Sequence, residues 1–408
     1  METSPLSDKP IRVAHVVSHP IQYYVPLYRA ISALPGIELT VFYLSDMGLE
    51  GYFDTDFQKQ IRWDVDLLGG YRSVFLESGI GGKKKLGLFR MPDWQFLRRL
   101  ARDRYDVIWA HGYQDSNILG AKLITLLQHK AFLVREDQTL LEPRSRKVRV
   151  LKRLVFGLLF CGTKSGALFT GANSRAHFRH FGVKDNRLFP ALHCIDDAAF
   201  AQAARALMPE RQQIRAGFGI TDDAPVVLFC GKLIDKKQPL RLVEAFTRVV
   251  SKRPCWLLMA GDGPLFAEVK NLCMSLGVAD RVILAGFLNQ SELPRAYVAA
   301  DLFVLPSSAH ETWGLVVNEA MHFSLPVIVS DHVGCAPDLV KDGVNGYIVP
   351  AMNTERLSKA LDKLIADGQR RVAFGRQSAA LIREYTVDNC AQQIRSACQT
   401  LTAQPRSA

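Results

Sequence analysis

Short apolar runs and longer amphipathic stretches alternate along almost the whole chain. Residues 11–18 (IRVAHVVS) read as a strand, and SHPIQYYVPLYRAIS beyond them turns from a loop into helical spacing. IELTVFYLS (37–45), YDVIWAHG (105–112) ahead of ILGAKLITLLQ, AFLVRED (131–137) and ALFTGANS (167–174) ahead of a basic helix repeat the scheme. β-rich runs separated by helical ones imply βαβ units and a parallel sheet. After Asp196 the pattern loosens into a linker and a first helix, then restarts with PVVLFCG (225–231), CWLLMAG (255–261), RVILAG (281–286), DLFVLP (301–306), PVIVS (326–330) and GYIVP (346–350). The chain is therefore expected to be α/β, with two doubly wound, Rossmann-like domains facing each other across a cleft. The first covers 10–200 and the second 201–385, and a helix over about 386–402 is expected to pack back on the first.

Ligands of such sheets bind at the carboxyl ends of the strands. In the first half that rule selects His19, His111, Arg135, Glu136, Asp137 and Ser174, each of which follows a predicted strand. In the second half it selects PSSAHETWGLVVNEAMHFSLPVIV (306–329). A polar loop there carries Glu311, and Gly314 opens an apolar-periodic helix with Glu319 inside it. The first N–H groups of a helix lack intrahelical partners and carry the positive end of its dipole, so an anion is favoured at Gly314 and Leu315. A diphosphate at the helix start, with one glutamate on sugar hydroxyls and the other on a ribose, fits a sugar nucleotide.

Composition narrows the classes. The net charge of +11 over 408 residues favours acidic partners, and it is concentrated in Lys83–Lys85 and in RSRKVRVLKR (144–153). No zinc-ligand spacing, aromatic-interleaved basic motif or helix-turn-helix signature points to nucleic acid. A basic segment followed by LVFGLLF suits an anionic membrane surface instead. The eight cysteines show no CxxC pairing, and the polar start METSPLSDKP lacks the pattern of a secretory signal. With no predicted spanning helix, a cytoplasmic protein, peripheral on the cytoplasmic face of the membrane, is expected. Two DxD triplets, Asp54–Asp56 and Asp64–Asp66, have too little context to assign a metal, and none is assigned.

GKLIDKKQPLRLVEAF, AGDGP, AGFLNQSELPRAYVAADLFVLPSSAHETWGLVVNEAM and DGVNGYIVP, in that order, resemble the donor-binding domain of retaining GT-B glycosyltransferases over roughly 225–385. This group includes lipopolysaccharide, capsule and exopolysaccharide enzymes. The resemblance implies that Lys232 and Lys237 grip the donor diphosphate, Glu311 faces the transferred sugar and Glu319 holds the ribose. It implies backbone N–H donation to phosphate from Gly314 and Leu315, and places Gly261, Gly263 and Phe287 in loops that line the donor and its base. His111 matches a common family histidine. Where many members carry a histidine at the strand end matching AFLVRED, Arg135 and Glu136 stand here; Cys335 and Asp338 stand where a glycine and a glutamate are common.

These readings imply a retaining, metal-independent glycosyltransferase that needs no cofactor. It would move a sugar from a nucleoside-diphosphate donor to a hydroxyl of a glycan or lipid-linked acceptor in cell-envelope polysaccharide synthesis. His111 joins Glu311, Lys232 and Lys237 as catalytic candidates, and His19, Arg135, Glu136 and Ser174 are the acceptor-side candidates. Two alternatives remain: a sugar-nucleotide epimerase of the same fold, and a catalytically silent scaffold that binds nucleotide sugar or membrane.

Overall fold

The computed structural model describes residues 9–54, 59–77, 91–141 and 145–403, so Lys83–Lys85, Arg144 and Asp56 lie outside the described residues. The chain divides into two compact units, one of Met1–Gly51, Asp66–His193 and Val387–Ala408, the other of Tyr52–Val65 and Cys194–Thr386.

In unit 1, β1 (Ile11–Val17), α1 (Val25–Ala33) and β2 (Ile37–Tyr43) open the chain, which then crosses into unit 2 for the hairpin β3 (Tyr52–Asp54) and β4 (Lys59–Ile61). Back in unit 1 follow β5 (Arg72–Phe75), α2 (Trp94–Arg102), β6 (Val107–His111), α3 (Ser116–Leu127), β7 (Ala131–Glu136), α4 (Arg146–Leu159), β8 (Ser165–Phe169), α5 (Ala172–His180) and β9 (Leu188–Pro190). Its seven strands run in the order β5-β2-β1-β6-β7-β8-β9, all parallel. The order turns at β1, the crevice position where ligands of such sheets bind.

Unit 2 begins with α6 (Asp197–Leu207) and α7 (Arg211–Gly217). It then alternates β10 (Val226–Cys230), α8 (Pro239–Val250), β11 (Trp256–Ala260), α9 (Phe266–Ser275), β12 (Val282–Gly286), α10 (Leu293–Ala299), β13 (Leu302–Leu305), α11 (Leu315–His322), β14 (Val327–Ser330), α12 (Ala336–Leu339) and β15 (Gly346–Val349), before α13 (Thr354–Ala366) and α14 (Gly368–Leu381). Its parallel sheet has the order β12-β11-β10-β13-β14-β15 and turns at β10. Every residue of β10, β11, β13 and β14 is buried, as continuous apolar strands between two helical layers must be.

The closing helix α15 (Val387–Ala403) groups with unit 1 and packs against α1, β8 and β9. Cys390, Ala391, Ile394, Ala397, Cys398 and Leu401 recur along its buried stripe, the spacing that turns one face of a helix inward. The division differs from the sequence reading in two respects. Residues 52–65, expected inside a first domain of 10–200, belong to unit 2, and the main segment of unit 2 starts at Cys194, not at 201. Strands of three residues leave no readable periodicity, and the partners of this hairpin lie far away in sequence.

Candidate active site

The carboxyl end of β10 runs directly into Gly231 and Lys232, then through a 3₁₀ turn at Asp235–Lys237 into α8. Adjacent strand ends are pinned together there: Gly231 N donates to Ala260 O (3.0 Å), Gly261 N to Gly286 O (2.8 Å) and Leu233 N to Asp262 O (2.8 Å). Gly261 is required by that approach, since a Cβ on it would lie 1.8 Å from the Gly231 carbonyl oxygen. Gly263 follows in the same loop, its N–H bound by Asp262 Oδ1 at 2.8 Å. Gln238, non-glycine yet left-handed (φ 56°), turns the chain into α8; its Nε2 donates to Asp235 O (2.7 Å) and its Oε1 accepts from Arg241 Nε (3.0 Å).

Lys237 Nζ meets Glu311 Oε2, and Ser307 Oγ donates to the same oxygen at 3.0 Å. Both members of the ion pair are largely shielded, at 12% and 11% exposure. Glu311 follows His310, a second non-glycine residue in the left-handed region (φ 51°). Such conformations cost about 1–3 kcal/mol each and concentrate where the surroundings over-determine them, commonly at functional sites. Glu311 O also accepts from Gly334 N (2.8 Å), and a Cβ at Gly334 would fall 1.8 Å from Thr312 O, so this loop is laced to the one after β14. Gly314 (φ 99°) precedes Leu315, and α11 starts with no side-chain cap. The loop that carries Glu311 from the end of β13 leads directly into this start.

Glu319 departs from its expected place on an accessible helix flank. It lies inside unit 2 with no solvent exposure, where Tyr297 Oη donates to its Oε2 at 2.6 Å. Burial, and then the nearby Glu319 carboxylate, push the Cys230 thiol up to about 12. Residues 317–321 are all buried, so this part of the helix is covered on every side and its spacing does not mark an exposed flank.

Lys232 also carries a carboxylate: its Nζ lies 2.9 Å and 3.0 Å from the two oxygens of Asp54 in the β3–β4 hairpin. Asp64 accepts from Ser291 N at 3.1 Å, and Asp66 Oδ1 from Leu68 N and Gly69 N, both at 3.0 Å. The described aspartates of both DxD triplets thus bind protein groups.

Residues 210–380 match the family model described as Glycosyl transferases group 1. Over this segment the chain is similar to group 1 glycosyl transferases. An alpha-D-kanosaminyltransferase of Streptomyces kanamyceticus is 31% identical over 172 residues, 42% of this chain and 44% of that protein. The chain spans about half the length of the curated relatives it matches. Among solved structures, a glycosyltransferase from Rickettsia africae superposes with a TM-score of 0.74 at 12% identity, covering 98% of this chain and all of that one. Anabaena HepE in complex with UDP-glucose does so with a TM-score of 0.68 at 19% identity, over 95% and 99% of the two chains. The shared fold is the GT-B arrangement of two Rossmann-like domains.

Within the matched segment lie Lys232, Lys237, Gly261, Gly263, Phe287, Glu311, Gly314, Leu315 and Glu319. Phe287 is half-buried, its ring centroid 6.3 Å from that of Trp63.

The remaining candidates belong to unit 1, at the carboxyl ends of its strands. His111 Nε2 meets Tyr24 Oη at 3.2 Å, and the Arg135 guanidinium lies 5.5 Å from the Tyr24 ring. Burial, then the Arg135 and His19 charges, press His111 down to about 3. Burial likewise lowers His15 and His193, and His19 as well. His19 Nδ1 bonds Ser18 Oγ at 2.9 Å.

The other acceptor-side candidates, Arg135, Glu136 and Ser174, are all buried. Arg135 is 1% exposed and donates to Ala191 O at 3.2 Å, so it charges the cluster from beneath and does not present itself at a surface. Glu136 points to the opposite side of the sheet, because neighbours in a strand alternate faces. It is buried, with Oε1 2.9 Å from His177 Nδ1. Ser174 is buried in the first turn of α5, its Oγ accepting from Thr170 N at 2.8 Å. Lys152, expected among surface cations, is also buried: its Nζ reaches His177 Nε2 at 2.6 Å and the Gln138 amide oxygen. Sequence reasoning missed Asp54, Ser307, Tyr297, Tyr24 and His193. Ser307 and Tyr297 stood inside the quoted glutamate motif and Asp54 inside a DxD triplet, but nothing local marked their partners.

Proposed function

We propose that the chain is a retaining glycosyltransferase moving one sugar from a nucleoside-diphosphate donor to a hydroxyl of a glycan or lipid-linked acceptor, in cell-envelope polysaccharide synthesis. The observation that carries this reading is the convergence of Lys232, Lys237, Glu311 and the uncapped start of α11 around the switch point of the segment similar to group 1 glycosyl transferases. The UDP-glucose held by HepE, of the same fold, supports a nucleotide-sugar donor. As the bond from the anomeric carbon to the diphosphate breaks, negative charge grows on the leaving phosphate oxygen. Lys232, Lys237 and the α11 amides stabilise it, and fixed charges already in place require little reorganisation as they do so. Glu311, held by Lys237 and Ser307, orients the hydroxyls of the departing sugar. The acceptor oxygen bonds the same face of that sugar while the leaving phosphate oxygen takes its proton, so configuration is retained without an enzyme nucleophile. No metal or cofactor has a part in this scheme.

A lipid-linked acceptor requires a visit to the membrane. Among the described residues no helix is long and apolar enough to cross one. Helix α4 offers a docking face: Leu151, Leu154 and Leu158 are 48%, 68% and 46% exposed, and Arg146, Lys147, Arg149 and Arg153 are exposed on the same helix. Apolar residues beside cations suit shallow insertion into an anionic cytoplasmic leaflet.

A thermal-shift screen tests the donor. A ligand that binds only the native state stabilises it by mass action. One or more nucleoside-diphosphate sugars should raise Tm, and the shift should disappear in Lys237→Ala. No shift with any uridine, guanosine, adenosine or thymidine diphosphate sugar would contradict the reading.

A further inference from the structure

The β3–β4 hairpin and the residues after it touch the strand-end loops of unit 2 in turn. Asp54 sits on Lys232 after β10, and Lys59 Nζ lies 3.9 Å from Asp262 after β11. After β12, Trp63 packs on Phe287, Asn289 Nδ2 donates to Arg62 O (2.9 Å) and Ser291 N to Asp64 (3.1 Å). A segment separated from these loops by 178 to 227 residues therefore lies along the carboxyl edge on one side of the switch point.

Asp54 differs from the other anchors in what it engages. Its carboxylate is 11% exposed and presents two oxygens to the Lys232 ammonium at 2.9 Å and 3.0 Å. An ammonium donates in the same way to two oxygens of a phosphate, and it cannot remain on both anions at full strength. Two acids around one lysine would also repel each other in this shielded place.

We propose that Asp54 is an intramolecular competitor for the donor's diphosphate: it neutralises Lys232 while the site is vacant, and the donor must displace it to bind. The inference rests on the phosphate role of Lys232 proposed above. It makes Asp54 a specificity-determining residue. A ligand with two phosphates brings enough charge to take Lys232, whereas a neutral sugar or a nucleoside leaves the pair closed. The remaining anchors, Asn289 and Ser291, hold the segment near the site as Asp54 leaves.

The test uses the full chain and inorganic pyrophosphate, which has the charge without base or sugar, titrated by calorimetry. Asp54→Asn removes the competing charge and keeps the side-chain shape, so pyrophosphate should bind about tenfold more tightly, the size of one lost charge-assisted contact. Asp64→Asn, which alters an anchor away from Lys232, should leave the affinity unchanged. Lys232→Ala should weaken binding about tenfold. Unchanged or weaker binding in Asp54→Asn with Lys232→Ala impaired overturns the competitor role alone; intact binding in Lys232→Ala overturns the phosphate role with it. Hydrogen exchange in the unaltered protein gives an answer that needs no variant. Pyrophosphate should speed exchange at the amides of Tyr52–Asp54 and Lys59–Ile61, and unchanged or slower exchange there contradicts the proposal.

Discussion

Lys237 and Glu311 are 74 residues apart in sequence, yet their charges meet beside the start of α11 with Ser307 on the same oxygen. Each is set by a loop containing a strained non-glycine residue, Gln238 in one and His310 in the other. The pair should act as a unit. Lys237→Ala and Glu311→Ala should each lower kcat at least tenfold, from about 1.5–3 kcal/mol per charge-assisted contact. The double variant should lose much less than the product of the two, because either single change already leaves its partner unpaired. Additive losses, or near-normal rates in either single variant, would dissolve the unit. A second expectation belongs to the histidines around Arg135 and Tyr24. His15, His111 and His193 have folded-state pKa values below the unfolded value near 6.5, with His111 at about 3. Between those values the unfolded chain binds more protons than the folded one, so stability falls as pH falls below about 6.5 and levels off above it, by about 1.4 kcal/mol per pH unit for each fully shifted group. Tm should drop steadily from pH 7 to pH 5, and less so in His111→Asn. A flat profile over that window would mean that these rings are not held neutral.

At the scale of elements, α4 shows what periodicity can and cannot say. Its basic run was plain in the sequence, but Lys152 turned out to be buried on the inner stripe with Phe156 and Leu159. A lysine one turn from exposed arginines looks like them until its partners, His177 and Gln138, are brought in from elsewhere in unit 1. The outward face keeps Arg149 and Arg153 together with Leu151 and Leu154. Replacing both arginines by glutamine should weaken binding to anionic vesicles about thirtyfold, from about 1 kcal/mol per surface cation. Leu151→Ser with Leu154→Ser should weaken it while leaving its salt dependence in place. Co-sedimentation at low and high salt checks both, and binding indifferent to lipid charge and salt contradicts docking through α4. The β3–β4 hairpin makes the complementary point. Its strands are too short to show a period, and its place is set by Lys232, Asp262, Asn289 and Ser291, which no local pattern connects to it.

For the whole molecule, the two parallel sheets and their strand-end loops were legible, because buried parallel strands must be apolar throughout and their loops must carry the polar chemistry. The loop residues Lys232, Lys237, Glu311 and Gly314 could be named from motifs. What stayed hidden was the direction of side chains once packed: Glu319 and Arg135 inward, Glu136 on the far side of its strand, Ser174 turned back onto the backbone before its helix. Charged residues at strand ends advertise a site equally well whether they face a ligand or a buried partner, and only tertiary contacts distinguish the two. The central claim is sugar transfer from a nucleoside-diphosphate donor with retention, and it is tested most directly by NMR of the purified protein with the donor found by thermal shift. In the absence of acceptor, water should take its place slowly, releasing nucleoside diphosphate and free sugar whose first-formed anomer matches that of the donor, and Glu311→Ala should abolish the signal. First-formed sugar of the opposite anomer would contradict retention, and isomerised donor, or a donor untouched over days, would contradict transfer itself.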